Sequence, residues 1–180
     1  MGRARGGVGA GPLGREHLSE QRVGIGFDAH RFADGRPLVL GGVRLDHPRG
    51  LEGWSDADAL LHAIADAILG AAALGDIGRH FSPDDPAWKD ADSREILQAA
   101  VSLASRDGWS VENVDATVLA EAPRVGPHAD AMRAAIAAAC GIDAERVSVK
   151  ATTMEGMGFV GREEGIAAMA VALLTRGKSA

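Results

Sequence analysis

Three residues in the first part of the chain, Asp28, His30 and His62, have side chains that bind divalent metal ions. Asp28 and His30 lie two positions apart in a predicted strand, so both side chains project from one face of it. His62 follows in a predicted helix. A carboxylate with two imidazoles suits Zn²⁺, and a site with three protein ligands keeps a fourth position open for substrate. The pattern therefore predicts a metal centre of the catalytic type.

The spacing of these three residues is weak evidence when it is taken alone. A histidine on a helix beside apolar residues is more often a core residue whose hydrogen bonds are satisfied. Asp58, His62 and Asp66 lie one turn apart on the same side of the predicted helix. Either carboxylate could accept a hydrogen bond from the imidazole nitrogen that faces away from the metal. Both interpretations of His62, metal ligand and core residue, stay open at this point.

Three further segments carry groups that could bind a phosphorylated nucleotide. Asp76, between two glycines, could bind ribose hydroxyls, or the segment could be only the turn that ends a helix. Thr152, Thr153 and Glu155 follow a predicted strand in a glycine-rich loop. Their hydroxyls and carboxylate could hold a phosphate and a second cation such as Mg²⁺, although an ordinary loop is the alternative. The backbone of residues 120–126 could read a base edge, or simply connect a strand to a helix.

The elements that must position these groups alternate between strands and helices. Two glycines between apolar runs predict a tight hairpin at Leu38–Leu45. Ser55 is expected to cap the helix that carries His62, and Gly75 to end it. The other predicted elements are strands at Val23–His30, Asn113–Ala120, Val147–Ala151 and Ile166–Leu174, and helices at Asp92–Asp107 and Pro127–Cys140. These elements predict an α+β fold with a single mixed β-sheet and helices packed on one face.

Length and composition restrict the class of protein. The 180 residues are 46% hydrophobic, which fits one domain with a buried core. The net charge of -6 gives no basic surface for nucleic acid or anionic lipid, and no apolar run is long enough to span a bilayer. One cysteine, Cys140, excludes an internal disulfide and fits the cytoplasm. Residues 1–21 are expected to be a disordered Gly/Arg-rich tail or linker, 22–176 the domain, and 177–180 a flexible C-terminus.

Taken together, the chemical segments resemble one enzyme family, the 2-C-methyl-D-erythritol 2,4-cyclodiphosphate synthases of non-mevalonate isoprenoid biosynthesis. The resemblance extends from about Arg22 to Leu174. The matching segments are GFDAH (26–30), SDADALLHAIADAILGAAALGDIG (55–78), FSPDDPAWKDADSRE (81–95), NVDATVLAEAPRVGPH (113–128) and VKATTMEGMGFVGREEGIA (149–167).

The resemblance implies a reaction in which a phosphate of the substrate attacks the β-phosphorus of its own CDP group and CMP leaves. No protein nucleophile is required, so the protein must fold the substrate and neutralise its charge. Asp28, His30 and His62 match the Zn²⁺ ligands, and Glu155 matches a ligand of a Mg²⁺ or Mn²⁺ ion that bridges the diphosphate. Asp58 and Asp66 would support His62.

The same resemblance assigns residues to the CDP substrate. Ser55 would contact phosphate, Asp76, Ile77 and Gly78 would hold the ribose side, and Phe81 to Asp85 would line the methylerythritol side. The remaining matches are the cytosine-pocket residues Ala120, Ala122, Pro123, Arg124 and Val125, with Arg124 where the family usually has Lys, and the diphosphate-binding residues Thr152 and Thr153, of which Thr153 is expected to be catalytic. The family further implies a bacterial cytoplasmic homotrimer with sites between subunits, without nucleic-acid or membrane partners.

Two positions depart from the family pattern. Trp54 stands where the family usually has a histidine before the serine of the HSD motif, and indole can donate a hydrogen bond but cannot carry positive charge. Glu163 stands where the family usually has Gly. The resemblance implies that the neighbouring Phe159 and Arg162 face the central cavity of a trimer, which in the family can hold an isoprenoid diphosphate. An inward carboxylate there would weaken anion binding. The alternative function is a trimeric protein that binds metal and cytidine nucleotides with low turnover because of Trp54.

Overall fold

A long first strand, β1 (Glu20–Ala33), carries Asp28 and His30 in the computed structural model, which describes residues 19–82 and 85–177. It begins before the predicted domain boundary at residue 22. The tail at 1–18 and the end at 178–180 lie outside the described residues. The chain continues through β2 (Leu38–Leu40), β3 (Val43–Leu45), β4 (Gly50–Leu51), α1 (Ala59–Ala71), α2 (Ile77–His80), α3 (Ser93–Arg106), β5 (Ser110–Leu119), α4 (Ala129–Cys140), β6 (Val147–Thr152), α5 (Gly158–Gly161) and β7 (Gly165–Arg176).

Five strands form one mixed sheet in the order β4-β1-β7-β5-β6. Strands β5 and β6 are parallel, and the other neighbours are antiparallel. The predicted α+β class is confirmed, but the prediction of a single sheet is wrong, because the β2–β3 hairpin forms its own two-stranded sheet. The amides of Gly41 and Gly42 in its turn both donate to the Asp58 carboxylate. These bonds attach the hairpin to the start of α1.

The helix that carries His62 begins later than the sequence suggested. Ser55 does not cap α1; Asp58 does, because its carboxylate accepts from the amides of Leu60 and Leu61. Asp58 is completely buried, yet it accepts bonds from both the helix and the hairpin. The preceding segment, residues 52–58, forms an irregular loop that carries Trp54 and Ser55 to the front of the helix.

Helix α1 lies across β1, β7 and β5 on one face of the sheet, as the sequence predicted. The approach to β1 is close because glycines occupy the contact. A Cβ atom on Gly24 would lie 2.0 Å from the carbonyl oxygen of Ala67, and one on Gly26 would lie 1.9 Å from that of Ala63. The helix backbone therefore sits directly on the strand, which brings His62 to the level of Asp28.

The opposite face of the sheet is apolar and exposed in the single chain. Residues on this face alternate with buried ones along β1 and β7, as a strand with one covered face requires. Its large members are Val23, Ile25, Phe27, Met169 and Val171, each between 41% and 67% exposed. A face of this kind marks a contact surface. No helix within the described residues is long and apolar enough to cross a membrane.

Candidate metal centre and nucleotide cleft

The structure brings Asp28, His30 and His62 together as one group that could hold a metal ion. The Asp28 Oδ2 atom lies 2.8 Å from His30 Nε2 and 3.1 Å from His62 Nδ1. The two imidazole nitrogens are 3.2 Å apart. Ligand atoms about 2 Å from a tetrahedral zinc ion are about 3.3 Å from one another, so these separations fit such an ion.

Hydrogen bonds on the outer side of each ring fix which nitrogen faces the centre. His30 Nδ1 lies 2.7 Å from the carbonyl oxygen of Glu52, which can only accept, so Nδ1 carries the proton. In the neutral ring, the lone pair of His30 Nε2 therefore points toward Asp28 and His62, and Nε2 can donate to Asp28 only when the ring carries a second proton. Two imidazole lone pairs and a carboxylate directed at one point repel each other unless a cation lies between them. The donor set therefore fits a metal ion.

The pKa values of Asp28 and His30 are shifted by the same close contacts. Burial opposes ionisation of Asp28, but hydrogen bonds from His30 and His62 outweigh it and hold the pKa of Asp28 below its ordinary value. Burial also lowers the pKa of His30, but the hydrogen bond and negative charge of Asp28, together with the bond to the Glu52 carbonyl oxygen and the charge of Asp58, outweigh that effect and raise it.

The outer nitrogen of His62 is held by serines, not by Asp58 or Asp66. His62 Nε2 lies 3.0 Å from Ser93 Oγ and 3.3 Å from Ser55 Oγ. Ser93 Oγ donates in turn to the Asp56 carboxylate. The prediction for Asp58 and Asp66 was wrong because backbone amides bind both carboxylates: Asp58 caps α1 and binds the hairpin, and Asp66 accepts from Ile77 N at 2.7 Å.

Ser93 and Asp56 were missed because each has a common local explanation. Ser93 stands at the start of α3, where a serine usually serves the helix end, and Asp56 lies in the loop before α1. The burial of Ser93, which is fully inaccessible, is the feature that reveals its role. Sequence alone does not show that the starts of α1 and α3 meet.

A cavity of about 230 Å³ opens beside the metal ligands. Trp54 is 44% exposed at its wall, and its indole Nε1 donates to the carbonyl oxygen of Asp85 at 3.4 Å. Most of the lining is apolar or aromatic, and the ring of Phe81 meets that of Trp88 edge to face. The lining residues are Asp28, His30, Trp54, Ser55, His62, Ile77, Gly78, Phe81, Trp88 and Ile96.

Asp76 lies just outside this lining and caps a short helix. Its carboxylate accepts from Arg79 N at 3.0 Å, at the start of α2 rather than at the end of α1. Asp76 is exposed. Asp66 binds the amide of Ile77, so it sets the position of the segment that brings Ile77 and Gly78 to the cavity.

A second cleft, of about 370 Å³, joins the two segments predicted to bind nucleotide. Parallel pairing of β5 with β6 sets Leu119 opposite Thr152, so the loops that leave the two strands lie side by side. One wall comes from the loop after β5 and the other from the end of β6. The lining residues are Ala120, Glu121, Pro123, Arg124, Val125, Gly126, Pro127, Ala151, Thr152 and Thr153. Ala122 precedes Pro123 through a cis peptide bond.

The loop after β6 has a defined shape. Thr153 Oγ1 donates to Glu155 Oε1 at 2.9 Å, and Glu155 has a left-handed backbone with φ of 51°. Thr152, Thr153 and Glu155 are exposed. The three side chains are therefore accessible to solvent.

The two cavities lie at one end of the sheet but do not merge within the chain. His30 pairs with Ile166 on β7, and Leu119 pairs with the neighbouring Ala167. Strands β1 and β5 are therefore about 10 Å apart at this level, with β7 between them. Among the described residues, the linings of the two cavities have no member in common.

The segment with Phe159 and Arg162 follows the loop. Phe159 is 40% exposed in α5, a short helix where the glycine-rich sequence predicted no regular element. Arg162 Nε donates to Glu164 Oε1 at 2.7 Å. Glu163 has a left-handed backbone with φ of 54°, the conformation that a glycine adopts without strain. Arg162 is thus already paired with a carboxylate.

The comparison with known proteins covers nearly the same residues as the domain predicted from the sequence. The model of the YgbB family matches residues 21–175. The 2-C-methyl-D-erythritol 2,4-cyclodiphosphate synthase of Bordetella petrii is 59% identical over 155 residues, which cover 86% of this chain and 96% of that protein. The synthase of Salinibacter ruber is 59% identical over 149 residues, covering 83% and 95%.

Solved structures have the same fold. A chain of bifunctional IspDF from Campylobacter jejuni aligns with a TM-score of 0.85 at 41% identity, over 88% of this chain and 43% of that one. A 2C-methyl-D-erythritol-2,4-cyclodiphosphate synthase in its CDP-bound form aligns with a TM-score of 0.78 at 34% identity, over 85% and 99%. The CDP complex of IspF from Plasmodium falciparum gives 0.76 at 30% identity, over 88% and 97%. The chain therefore belongs to the YgbB family, with the cyclodiphosphate synthases as its relatives.

Proposed function

We propose that this protein converts 4-CDP-2-C-methyl-D-erythritol 2-phosphate to 2-C-methyl-D-erythritol 2,4-cyclodiphosphate and CMP, in non-mevalonate isoprenoid biosynthesis. It would thus be a phosphorus-oxygen lyase. The observation that carries the proposal is the convergence of Asp28, His30 and His62 on one point beside a cavity, in a chain matched over residues 21–175 by this family.

The reaction forms one bond and breaks one. An oxygen of the 2-phosphate attacks the β-phosphorus, and the bond from that phosphorus to the oxygen bridging it to the α-phosphorus breaks. CMP leaves with the bridging oxygen. When bound, Zn²⁺ held by Asp28, His30 and His62 would polarise the β-phosphate as a Lewis acid.

The residues of the chain bind and orient the substrate. Ser55 would contact a phosphate, Asp76, Ile77 and Gly78 would hold the ribose side of the substrate, and Phe81 and Asp85 would line its methylerythritol side. Residues 83 and 84, which the prediction also included, lie outside the described residues. Backbone groups of residues 120–125 would bind the cytosine. Thr152 and Thr153 would grip the diphosphate, and Glu155 would hold a Mg²⁺ or Mn²⁺ ion against it.

A homotrimer would complete each site between two subunits. Two observations support this: the metal cavity and the nucleotide cleft remain separate within one chain, and a face of the sheet presents apolar side chains to solvent. Packing three such faces together would bury Val23, Ile25 and Phe27. Phe159 and Arg162 would then border a central cavity, where the Arg162–Glu164 pair reduces attraction for an isoprenoid diphosphate. The location proposed is the bacterial cytoplasm.

Release of CMP from the CDP substrate, with Zn²⁺ and Mg²⁺ present, tests the activity. His62→Ala should abolish CMP release because it removes a metal ligand. His47→Ala should retain it, since that imidazole stacks on Phe32 away from the cavity.

Light scattering should give the mass of a trimer, and a monomer at assay concentration would contradict the shared site.

A second function is favoured by Trp54, which lies where the family usually has a histidine. The protein could bind metal and cytidine nucleotides as a trimer with low turnover. CMP release no faster than in His62→Ala, with CDP still bound, would support this second function and reject the first.

A further inference from the structure

One carboxylate connects the two walls of the nucleotide cleft. Glu121 follows β5 on the first wall, and its Oε1 atom accepts from Met154 N at 2.9 Å and from Gly156 N at 3.3 Å on the second. The two amides flank Glu155. Glu121 is half-buried, whereas Thr152 and Thr153, which line the cleft on the second wall, are exposed.

The loop needs such an acceptor because its backbone leaves the sheet. Strand β6 ends at Thr152, so later amides lack the partners that a strand provides. Glu155 and Gly156 both have left-handed backbones, with φ of 51° and 76°. A left-handed non-glycine residue is costly and persists only when surrounding bonds hold it. The two bonds to Glu121 hold the backbone on either side of this residue.

The position of Glu155 follows from these bonds. Thr153 Oγ1 donates to Glu155 Oε1 at 2.9 Å, so the hydroxyl and the carboxylate point to the same side of the loop. A loop released from Glu121 would lose the left-handed turn and, with it, the alignment of these two groups. Ordering the hydroxyl and the carboxylate again when the nucleotide binds would then cost free energy, which a loop already held by Glu121 does not require.

We propose that Glu121 is a positioning residue, which holds residues 152–156 in the conformation that grips the diphosphate of a cytidine nucleotide. The inference deepens the proposed function of this cleft and rests on it. Glu121 acts through the hydrogen bonds that it accepts from two neutral amides and not through an ion pair with the loop.

Substitution by glutamine separates these two properties. Glu121→Gln keeps a carbonyl oxygen that can accept from both amides, while Glu121→Ala removes the acceptor. Loss of both hydrogen bonds to the loop predicts that CDP binds Glu121→Ala at least about tenfold more weakly. Binding to Glu121→Gln should stay within about threefold of the parent. Glu145→Ala is the matched control, because it removes an exposed carboxylate just before β6 begins, at the end of the strand that lies away from the loop.

Two measurements on the full-length protein with Mg²⁺ test the inference: CDP affinity by calorimetry, and hydrogen exchange of the Met154 and Gly156 amides without nucleotide. Both amides should exchange slowly in the parent, Glu121→Gln and Glu145→Ala, and rapidly in Glu121→Ala. Unchanged exchange or unchanged affinity in Glu121→Ala would overturn the inference. Equal weakening in Glu121→Gln and Glu121→Ala would also overturn it, because charge would then be the cause.

The proposed function can fail separately. A parent protein with protected loop amides that binds no CDP would reject the nucleotide assignment of the cleft. The exchange data would still show whether Glu121 holds the loop.

Discussion

Ser93 Oγ lies 3.0 Å from Nε2 of His62 and donates a hydrogen bond to the Asp56 carboxylate, so it links the imidazole to that carboxylate. Because the Ser93 hydroxyl proton goes to Asp56, its oxygen is free to accept the proton of His62 Nε2. In the neutral ring, the lone pair of His62 Nδ1 would then be available to a metal ion held with Asp28 and His30. This bond joins the start of α3 to a metal ligand on α1.

The first prediction concerns metal affinity. Ser93→Ala should weaken Zn²⁺ binding by about 10–100-fold, because outer hydrogen bonds orient a ligand imidazole and raise its basicity. Competition with a chromogenic chelator measures the affinity without substrate. Ser102→Ala is the control, since Ser102 lies on the same helix and its hydroxyl donates only locally, to the Gln98 carbonyl oxygen. Equal zinc affinity in the two variants would remove Ser93 from the metal centre.

The second prediction concerns Trp54. Trp54→His should raise kcat for CMP release by about 10²-fold, because a histidine can carry positive charge where the indole cannot and one donor to the transition state has about this effect. Trp54→Phe should leave kcat near that of the parent, since it removes only the long bond to Asp85. A large loss in Trp54→Phe, or no gain in Trp54→His, would mean that the indole itself serves the reaction.

The alternation of apolar residues with turn signals predicted the hairpin, α3, α4 and the main strands with small errors at their ends. It also placed Asp28 and His30 on one face. It could not predict where helix starts meet in space, and the partners of His62 depend on that. Asp58 shows the reason: its sequence position next to His62 suggested support for the imidazole, but four backbone amides take its carboxylate. Backbone amides of the helix start and the hairpin turn bind the carboxylate in place of the imidazole.

A third prediction concerns the contact between β1 and α1. Gly26→Ala should lower the free energy of unfolding by about 3 kcal/mol, because its Cβ would meet a backbone oxygen that cannot turn away. It should also weaken zinc binding, since moving β1 away from α1 separates Asp28 and His30 from His62. Denaturant titration and chelator competition measure the two effects.

Gly70→Ala is the matched control on the same helix. A Cβ on Gly70 would meet only Ile25 O, at 3.9 Å, so alanine should fit and stabilise the helix by up to about 1 kcal/mol. If Gly26→Ala were as stable as Gly70→Ala, the close approach of the strand to the helix would be wrong.

The last prediction concerns Glu163, whose φ of 54° places it in the left-handed region. Glu163→Gly should raise the free energy of unfolding by about 0.5–1 kcal/mol, because glycine adopts this conformation without a Cβ clash. Glu163→Ala removes the same carboxylate but keeps the Cβ atom, so it should give no such gain. Arg162 should remain paired with Glu164 in both variants. Equal stabilisation by glycine and alanine would show that the charge of Glu163, and not its backbone, is the unfavourable feature.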